Sequence, residues 1–441
     1  MTEDRPVSAR DYTFLALLTV LNVMNFVDRQ LLASFANFIV PDLGLSNTQF
    51  GLLTGFAFIL FYATMGLFMG ALADLVHRPR LIAAGLALWS GLTAASGAAR
   101  GFASLALPRM LIGVGESALT PTSMSLLSDR FPPARLGLAS GVYYMGVPIG
   151  VGVSLLIAGY LGPAIGWRGC FYVLGAIGVV LSVVMLFVKE TPRRHGAAVA
   201  AVQPVGNAAA HGRPAMGSLV TTLGRALRTS PALTLTIAGG VAMHFVLGAA
   251  AFDQLWYVHE RGFERAQIAQ LTGWIGMIAG VLGNLFGGAA GDWWLRRTGS
   301  GRATFLFWLM LALAPLNLAY RLVPADSPFF WIGIFSGFFG LGAFYGPTFS
   351  TVQELVPPNI RATVVAFYIL MLNLIGLGFG ITAGGWAIDV MIARGVAQPY
   401  TWTLFAFTVL SQSAAPLFFL AGRRFRGDRE RLFAAAAAKA L

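Results

Sequence analysis

The sequence predicts an all-α polytopic membrane protein with twelve spanning helices in two similar six-helix bundles. Three observations support this prediction: the composition, the length of the apolar segments and an internal repeat. Hydrophobic residues make up 57% of the 441 residues, whereas charged residues make up only 11%. A soluble protein of this length needs more charge to cover its surface, so the composition indicates a chain embedded in lipid.

Most apolar segments are about 20 residues long, the length that a helix needs to cross roughly 30 Å of hydrocarbon. Period-two alternation is absent from the sequence, so we expect helices rather than a barrel. We number the predicted helices α1 to α12, and they cover residues 13–38, 48–75, 81–99, 104–128, 136–161, 168–188, 232–258, 267–292, 302–322, 328–352, 361–390 and 399–422.

The formal net charge of +12 is explained by the position of the basic residues. Of the 30 Lys and Arg residues, 22 lie in the termini and in the loops after α2, α4, α6, α8 and α10, and six lie in the opposite loops. The remaining two, Arg29 and Arg109, lie within predicted helices. This bias predicts a multi-pass protein with both termini in the cytoplasm and no nucleic acid partner. The composition favours a bacterial plasma (inner) membrane, and we expect a monomer whose partner is the lipid bilayer.

The chain divides at a stretch rich in Gly, Ala and Pro, which predicts a flexible connection between the halves. A short interfacial helix is expected within it, near residues 216–227. We therefore predict an N-terminal six-helix bundle at 1–190, a cytoplasmic linker at 191–230, a C-terminal six-helix bundle at 231–425 and a cytoplasmic tail at 426–441.

A signature at the end of α2 recurs at the end of α8. The matching positions, each 218 residues apart, are Gly70, Asp74 and Arg78 with Gly288, Asp292 and Arg296. A second match joins Pro132, Pro133 and Arg135 after α4 to Pro357, Pro358 and Arg361 after α10. Two correspondences at similar offsets indicate an internal duplication. Parallel six-helix repeats around a midplane site are the architecture of alternating-access carriers.

The segment from Gly70 to Arg80, GALADLVHRPR, resembles the loop signature of the major facilitator superfamily. With its second copy and the central linker, the resemblance covers nearly the whole chain. It implies the twelve-helix fold of secondary transporters, and it implies that the six residues of the two copies form a cytoplasmic conformational latch. Leu75, His77 and Trp293 depart from the usual pattern of this signature.

Three further segments resemble the Spinster family of lysolipid and sphingosine-phosphate transporters. They share an Asn-x-x-Asp-Arg element on α1, an Arg-x-x-x-Gly-x-Gly-Glu element on α4 and a Gly-rich α5 that contains proline, and they cover residues 25–35, 108–131 and 141–152. Anion symporters of the same superfamily carry a similar element on α1. The resemblance therefore leaves a lipid carrier and a small organic-anion carrier open.

Four charged residues lie well inside predicted helices of the first half, away from the helix ends: Asp28, Arg29, Arg109 and Glu116. Each costs about 2.5 to 3.5 kcal/mol at the centre of a membrane unless it is paired, so such residues usually mark a functional site. Arg109, Glu116 and Thr120 are seven and four residues apart, which places them on one face of α4. We expect Asp28 and Glu116 to carry protons, while Arg29 and Arg109 bind an anionic headgroup when a carboxylate is protonated.

The polar residues expected to line the substrate cavity are Asn22, Asn25, Thr120, Tyr144, His244 and Asn373. For His244 the sequence favours a hydrogen-bonded packing role over proton traffic, and Asp253 lies near a helix end where a charge is cheaper. The glycines of α5 fit either an antiporter element or close helix packing. Glu354 and Asp389 near helix ends are expected to be solvated or paired with loop arginines such as Arg361.

The sequence thus predicts a proton-coupled secondary transporter for a small amphiphilic or anionic substrate. A small organic-anion symporter and a drug/proton antiporter remain the alternatives. We do not expect an enzyme, because the sequence has no catalytic constellation and no phosphate-binding Gly-Lys-Ser/Thr loop. No cofactor and no metal site are expected, and a single cysteine, Cys170, excludes an intramolecular disulfide.

Overall fold

The computed structural model describes residues 7–73, 75–192, 216–356 and 360–437, and within these residues it contains helices and no strands. Half of the spanning helices are built from more than one segment. Their bounds are Ala9–Ser34 (α1), Asn47–Thr54 and Phe56–Ala73 (α2), Arg78–Gly97 (α3), Phe102–Glu116 and Leu119–Arg130 (α4), Pro133–Tyr144 and Gly146–Tyr160 (α5), Gly162–Leu186 (α6), Pro231–Ala250 and Asp253–His259 (α7), Arg265–Thr298 (α8), Arg302–Leu322 (α9), Pro328–Glu354 (α10), Arg361–Met371, π-helical Leu372–Gly378 and Phe379–Ala393 (α11), and Pro399–Gln412 and Ala414–Ala437 (α12).

Eleven segments of the described chain are long and apolar enough to cross a membrane. The remaining helix, α3, has 20 residues and lies where the sequence predicts it. The predicted all-α class and the twelve helices are therefore confirmed. Two short helices accompany them, Ala36–Asp42 after α1 and Met216–Thr229 before α7.

The helices begin at residues with a physical reason to start them. Ser46 and Glu264 accept hydrogen bonds from the first main-chain amides of α2 and α8, which satisfies donors that have no partner inside the helix. Proline stands in the first turn of α3, α7, α10 and α12, where its missing N–H has no cost. The start positions thus follow from local chemistry.

The chain forms two compact units. The first contains residues 1–45 and 57–211, and in it α1 packs on α5 while α3 packs on α4 and α6. The second contains residues 46–56 and 212–441, and in it α8 and α9 both pack on α10 while α7 packs on α12. The predicted linker falls partly at 193–215, outside the described residues. The helix Met216–Thr229 that follows packs Leu223 and Leu227 on a buried cluster of the second unit.

The first segment of α2 belongs by its packing to the second unit. Asp389 of α11 accepts hydrogen bonds from the main-chain amides of Asn47 and Thr48 at 3.1 and 2.8 Å, and from both of their side chains at 2.9 and 2.6 Å. Tyr400 donates to the Asn47 side chain at 2.9 Å. Asp389 is therefore a cap on the helix segment Asn47–Thr54, and the expectation of a solvated carboxylate at this position is wrong.

Candidate functional site

Close packing in the first unit brings the charged residues of α1 and α4 into its interior. Gly115 precedes Glu116, and a Cβ there would lie only 2.8 Å from the main-chain oxygen of Gly85 on α3. A Cβ on Gly85 would meet Gly115 in the same way, at 2.7 Å. These two glycines let the backbones of α3 and α4 touch, and α4 breaks directly after Glu116, between its two segments.

The centre of the site is an ion pair between α1 and α4. Arg29 donates to Glu116 Oε2 from Nη2 at 3.1 Å and from Nε at 3.3 Å, and the Glu116 side chain is fully buried. The Arg29 guanidinium lies over the rings of Phe26 and Tyr62, with its carbon 4.9 and 4.3 Å from their centroids. A cation over an aromatic face gains about 0.5 to 2 kcal/mol. The pair is thus held in aromatic surroundings.

The second arginine is held by main-chain oxygens. Arg109 is 3% exposed and donates to the carbonyl oxygens of Asp28 at 3.3 Å and Arg29 at 2.7 Å. Its guanidinium carbon lies 4.7 Å from the Phe58 ring centroid. No carboxylate forms an ion pair with Arg109 among the described residues. Its charge is balanced at longer range by Asp28 and Glu116.

Asp28 is 2% exposed, and no donor in the described part of the chain completes a hydrogen bond to either of its carboxylate oxygens. Its neighbours on α3 are the Trp89 indole and the Thr93 hydroxyl, which the sequence analysis did not single out. A buried carboxylate without a hydrogen bond is costly in its ionised form. Asp28 therefore differs from Glu116, whose charge is paired.

The polar residues predicted near these charges differ in their surroundings. Asn22 is fully buried and donates to the carbonyl oxygen of Tyr143 on α5 at 2.8 Å, while Asn25 lies beside Glu116. Thr120 accepts a hydrogen bond from the Tyr143 hydroxyl at 3.4 Å, and Tyr144 is 41% exposed. Asn22 therefore joins α1 to α5, whereas Asn25 belongs to the charged cluster and Tyr144 is partly exposed.

His244 and Asn373 lie in the second unit. His244 is 4% exposed, with Nδ1 3.0 Å from the Gly240 carbonyl oxygen and Nε2 3.4 Å from the Tyr345 hydroxyl. Asn373 lies in the π-helical turn of α11 and donates to the carbonyl oxygen of Ile369 at 2.9 Å. π-helical turns inside α-helices are frequent at functional sites. Both residues use part of their hydrogen-bonding capacity within their own helix.

Two glycines of α5 pack against α1. A Cβ on Gly146 would lie 2.8 Å from Asn22 Nδ2, and one on Gly150 would lie 2.6 Å from the Val23 carbonyl oxygen. By contrast, a Cβ on Gly141 would meet nothing within 4 Å. Close helix packing therefore accounts for Gly146 and Gly150, which places α5 directly behind the charged residues of α1.

Arg78, expected in the conformational latch, is 1% exposed and joins three parts of the first unit. It donates to Asp129 Oδ2 at 2.5 Å, to Glu190 Oε1 at 3.0 Å and to the Thr191 carbonyl oxygen at 2.6 Å. Asp74 lies outside the described residues. A Cβ on Gly70 would approach only the Pro121 side chain, at 3.9 Å. The partners of Arg78 are thus the end of α4 and the segment that leads into the linker.

The second copy uses a different arginine from the one predicted. Asp292 pairs with Arg302, the first residue of α9, at 2.8 Å, and Arg302 also pairs with Glu354 at 2.6 Å. Arg296 is exposed, and a Cβ on Gly288 would meet nothing within 4 Å. Glu354 is therefore an ion-pair partner of Arg302, and Arg361 instead donates to the main chain of Gln353.

The proline repeat contained the signal that would have found these partners. Asp129 and Glu354 each stand three residues before a Pro-Pro pair, and Arg78 and Arg302 each begin the helix after the signature. The two proline pairs are separated by the same number of residues as Asp129 and Glu354. Arg78 and Arg302 are separated by almost the same number. Arg302, not Arg296, is thus the structural counterpart of Arg78.

Comparison with known proteins agrees with this architecture. The model of the Major Facilitator Superfamily matches residues 18–381. A protein of Mycolicibacterium smegmatis named as an MFS-type efflux pump is 26% identical over 429 residues, which is 96% of each chain. A probable sphingolipid transporter of Arabidopsis thaliana, spinster homolog 1, is 23% identical over 82% of this chain and 80% of its own.

Among solved structures, a bacterial homolog of the human lysosomal transporter Spinster, in an inward-facing and unoccupied conformation, superposes with a TM-score of 0.78. The two sequences are 24% identical, and the match covers 96% of this chain and 99% of that one. The fold and the resemblance to Spinster proteins are therefore confirmed. The chain belongs to the Major Facilitator Superfamily of membrane transporters.

Proposed function

We propose that this protein is a proton-coupled secondary transporter that works by alternating access and carries an amphiphilic anion, such as a lysolipid or a sphingoid phosphate. The observation behind this proposal is the buried cluster of two arginines and two carboxylates in the first unit. Asp28, Arg109 and Glu116 are each at most 3% exposed. Such residues inside a membrane protein usually serve transport.

The balance of charge in the cluster provides the coupling. The charges of Arg29 and Arg109 are balanced when Asp28 and Glu116 are both ionised. Protonation of Glu116 removes the partner of Arg29 and leaves an excess positive charge, which an anionic headgroup can neutralise. Since each uncompensated charge costs about 2.5 to 3.5 kcal/mol, binding of the proton and binding of the anion favour each other.

Asp28 is the second proton carrier. It forms no direct ion pair among the described residues, so its protonation breaks no such contact. Protonation would also turn one carboxylate oxygen into a donor. The protonated Asp28 carboxyl can then both donate and accept hydrogen bonds beside Trp89 and Thr93 in an apolar interior.

The aromatic surroundings of Arg29 favour a substrate with an apolar part beside its charge. The rings of Phe26, Phe58 and Tyr62 lie within about 5 Å of the guanidinium carbon. An arginine matches the geometry of phosphate or carboxylate through paired hydrogen bonds. The named relative of Arabidopsis thaliana, a probable sphingolipid transporter, supports this substrate class.

A drug/proton antiporter is the second candidate, because the relative named as an efflux pump matches 96% of the chain. A small organic-anion symporter is also compatible with the Asn-x-x-Asp-Arg element on α1. A substrate panel that includes lysophospholipids, sphingoid phosphates, cationic dyes and short organic acids separates the three. Competition by the lipids alone supports the lead proposal.

We also propose that the protein lies in a bacterial inner membrane with cytoplasmic termini and a cytoplasmic linker at 191–230, because the basic residues follow the positive-inside rule. The test is Thr298→Cys in a Cys170→Ser background, since Thr298 is the exposed last residue of α8, directly after Arg296 and Arg297. A membrane-impermeant maleimide should label it only after the cells are permeabilised. Labelling of intact cells would reverse the orientation.

The coupling is tested with purified protein in liposomes that contain a pH-sensitive dye. Addition of a lysophospholipid or a sphingoid phosphate should move protons with the wild-type protein. Glu116→Gln should abolish the pH dependence of transport, because a glutamine cannot exchange a proton with the site. Glu430→Gln is the matched control, since Glu430 is exposed and pairs with Arg426 at the surface of α12.

Loss of pH dependence in Glu116→Gln, with normal behaviour of Glu430→Gln, supports proton coupling at the cluster. Normal pH dependence in Glu116→Gln would contradict it. Proton movement driven only by short organic acids or by cationic dyes would keep the coupling and replace the substrate class.

A further inference from the structure

The second unit contains a groove between α8 and α9 with a volume of about 680 Å³, and its exposed apolar lining is of the kind that faces lipid in a membrane protein. All its lining residues are apolar or aromatic. They include Phe286, Ala289 and Trp293 from α8, and Phe305 and Trp308 from α9. This volume lies within the range of roughly 300 to 1,000 Å³ that is typical of ligand sites.

The groove follows from how the two helices pack. Gly283 and Gly287 bring α8 against the main chain of α10 near Phe339 and Ala343, and α9 packs on the same helix. The residues that line the groove come from α8 and α9. The small side chains of Ala289 and Ala290 leave room for the groove between the larger residues.

Large side chains form the walls of the groove. Phe286 and Trp293 are seven residues apart on α8, which places both on the lipid-facing stripe, and they are 44% and 54% exposed. Trp308 on α9 is 49% exposed. Tryptophan is enriched where the acyl region of a membrane meets its polar surface. The groove therefore lies near the end of the helices that carries the α8–α9 loop.

Two basic residues stand at this end. Arg296 and Arg297 occupy the last turn of α8, and both are exposed. The Arg297 guanidinium carbon lies 5.9 Å from the Trp293 ring centroid. The nearby Arg302 differs from them, because its charge is taken up by Asp292 and Glu354. An apolar groove that ends in two exposed arginines is complementary to an apolar chain that ends in an anion.

We propose that this groove binds an anionic phospholipid from the leaflet next to the α8–α9 loop, with an acyl chain against Ala289 and the phosphate at Arg296 and Arg297. The charge distribution of the chain assigns that leaflet to the cytoplasmic side. The site is separate from the charged cluster of the first unit. It therefore stands or falls independently of the transported substrate.

The test is lipid binding to the purified full-length protein, measured by native mass spectrometry. The probes are phosphatidylglycerol and phosphatidylcholine with identical acyl chains. The wild-type protein should bind phosphatidylglycerol more tightly. The double variant Arg296→Gln/Arg297→Gln should weaken that binding about 30-fold, since each basic residue near an anionic lipid surface contributes roughly a factor of five.

Two further variants sharpen the test. Arg423→Gln/Arg424→Gln removes the same charge from adjacent exposed positions on α12, so it should leave the tight binding unchanged. Ala289→Phe fills the groove from an exposed position without a change in charge, so it should weaken binding of phosphatidylglycerol about 10-fold or more. The proposal would be overturned if the wild-type protein bound the two lipids with equal affinity. It would also be overturned if the two double arginine variants lost the same amount of phosphatidylglycerol affinity, or if Ala289→Phe bound that lipid as tightly as the wild type.

Discussion

Each of the two units places an aspartate near a buried arginine, but the oxygens of the two aspartates have different surroundings. In the second unit, Arg321 is 2% exposed and donates to Asp253 Oδ1 at 2.7 Å. The Arg321 guanidinium carbon also lies 4.7 Å from the Trp256 ring centroid and 4.4 Å from that of Tyr320. In the first unit, Asp28 has no such donor among the described residues.

This difference separates a structural pair from a site of chemistry. A carboxylate with a direct arginine partner loses that interaction when it is protonated, so protonation of Asp253 has a cost. A carboxylate without a hydrogen bond is already expensive to keep ionised, so protonation of Asp28 relieves a cost. The same residue type therefore stabilises the fold in one unit and is suited to carry a proton in the other.

The largest expected effect is on stability, and destabilisation is expected in the second unit alone. Asp253→Asn leaves Arg321 buried without its charged partner and should lower the free energy of unfolding by about 3 to 5 kcal/mol. Asp28→Asn removes a buried charge that has no hydrogen bond, so stability should stay unchanged or rise. Thermal unfolding in detergent measures both.

Proton-driven transport by the folded variants should be impaired in the opposite variant from the one that loses stability. Asp28→Asn should lose the coupling, whereas the folded fraction of Asp253→Asn should retain it. A stable Asp253→Asn protein without transport would end the structural assignment of this pair. An unstable Asp28→Asn protein would show that Asp28 also supports the fold.

A smaller effect is expected at Asp389, a carboxylate whose oxygens are all used. Asp389→Asn loses the charge and at least one of the four hydrogen bonds to Asn47 and Thr48. Loss of such a cap costs about 1 to 2 kcal/mol. Hydrogen exchange at the main-chain amides of residues 47–50 should therefore accelerate about 5- to 30-fold.

Asp326→Asn is the matched control for this measurement, because Asp326 is an exposed residue of the α9–α10 loop. It should leave exchange at residues 47–50 unchanged. Wild-type exchange in Asp389→Asn would mean that helix packing, rather than the cap, holds this segment on the second unit.

The sequence was sufficient for features that depend on local pattern. Hydropathy predicts the spanning helices, and the spacing of Arg109 and Glu116 predicts that both face the interior of the first unit. The sequence was insufficient where a side chain contacts residues of a helix that is distant in the chain. The neighbours of Asp28 on α3 and the cap by Asp389 depend on tertiary packing, which no periodicity encodes. Arg302 is an intermediate case, because the proline repeat indicates it only after the correct offset is chosen.

The smallest effect tests whether the cost of removing a carboxylate follows the hydrogen bonds it accepts. Glu264 at the start of α8 accepts from the main-chain amides of Ala266 at 3.0 Å and Gln267 at 2.7 Å, and the first of these bonds is the largest cause of its lowered pKa. Because the pKa is lower in the folded protein, the stabilisation is present above the unfolded pKa of about 4.3 and is lost as the pH falls through the folded pKa.

Glu264→Ala should therefore cost about 0.5 kcal/mol at pH 7, a value reduced by the exposure of this side chain, and the gap to the wild type should narrow below about pH 4. Glu430→Ala, which removes an exposed carboxylate that caps no helix, should change stability by less at both pH values. The check is the unfolding midpoint of the three proteins in detergent as a function of pH. If Glu264→Ala and Glu430→Ala behave alike, hydrogen bonds to the main chain do not determine the contribution of exposed carboxylates in this protein, and the contrast between Asp253 and Asp28 would have to be explained by burial alone.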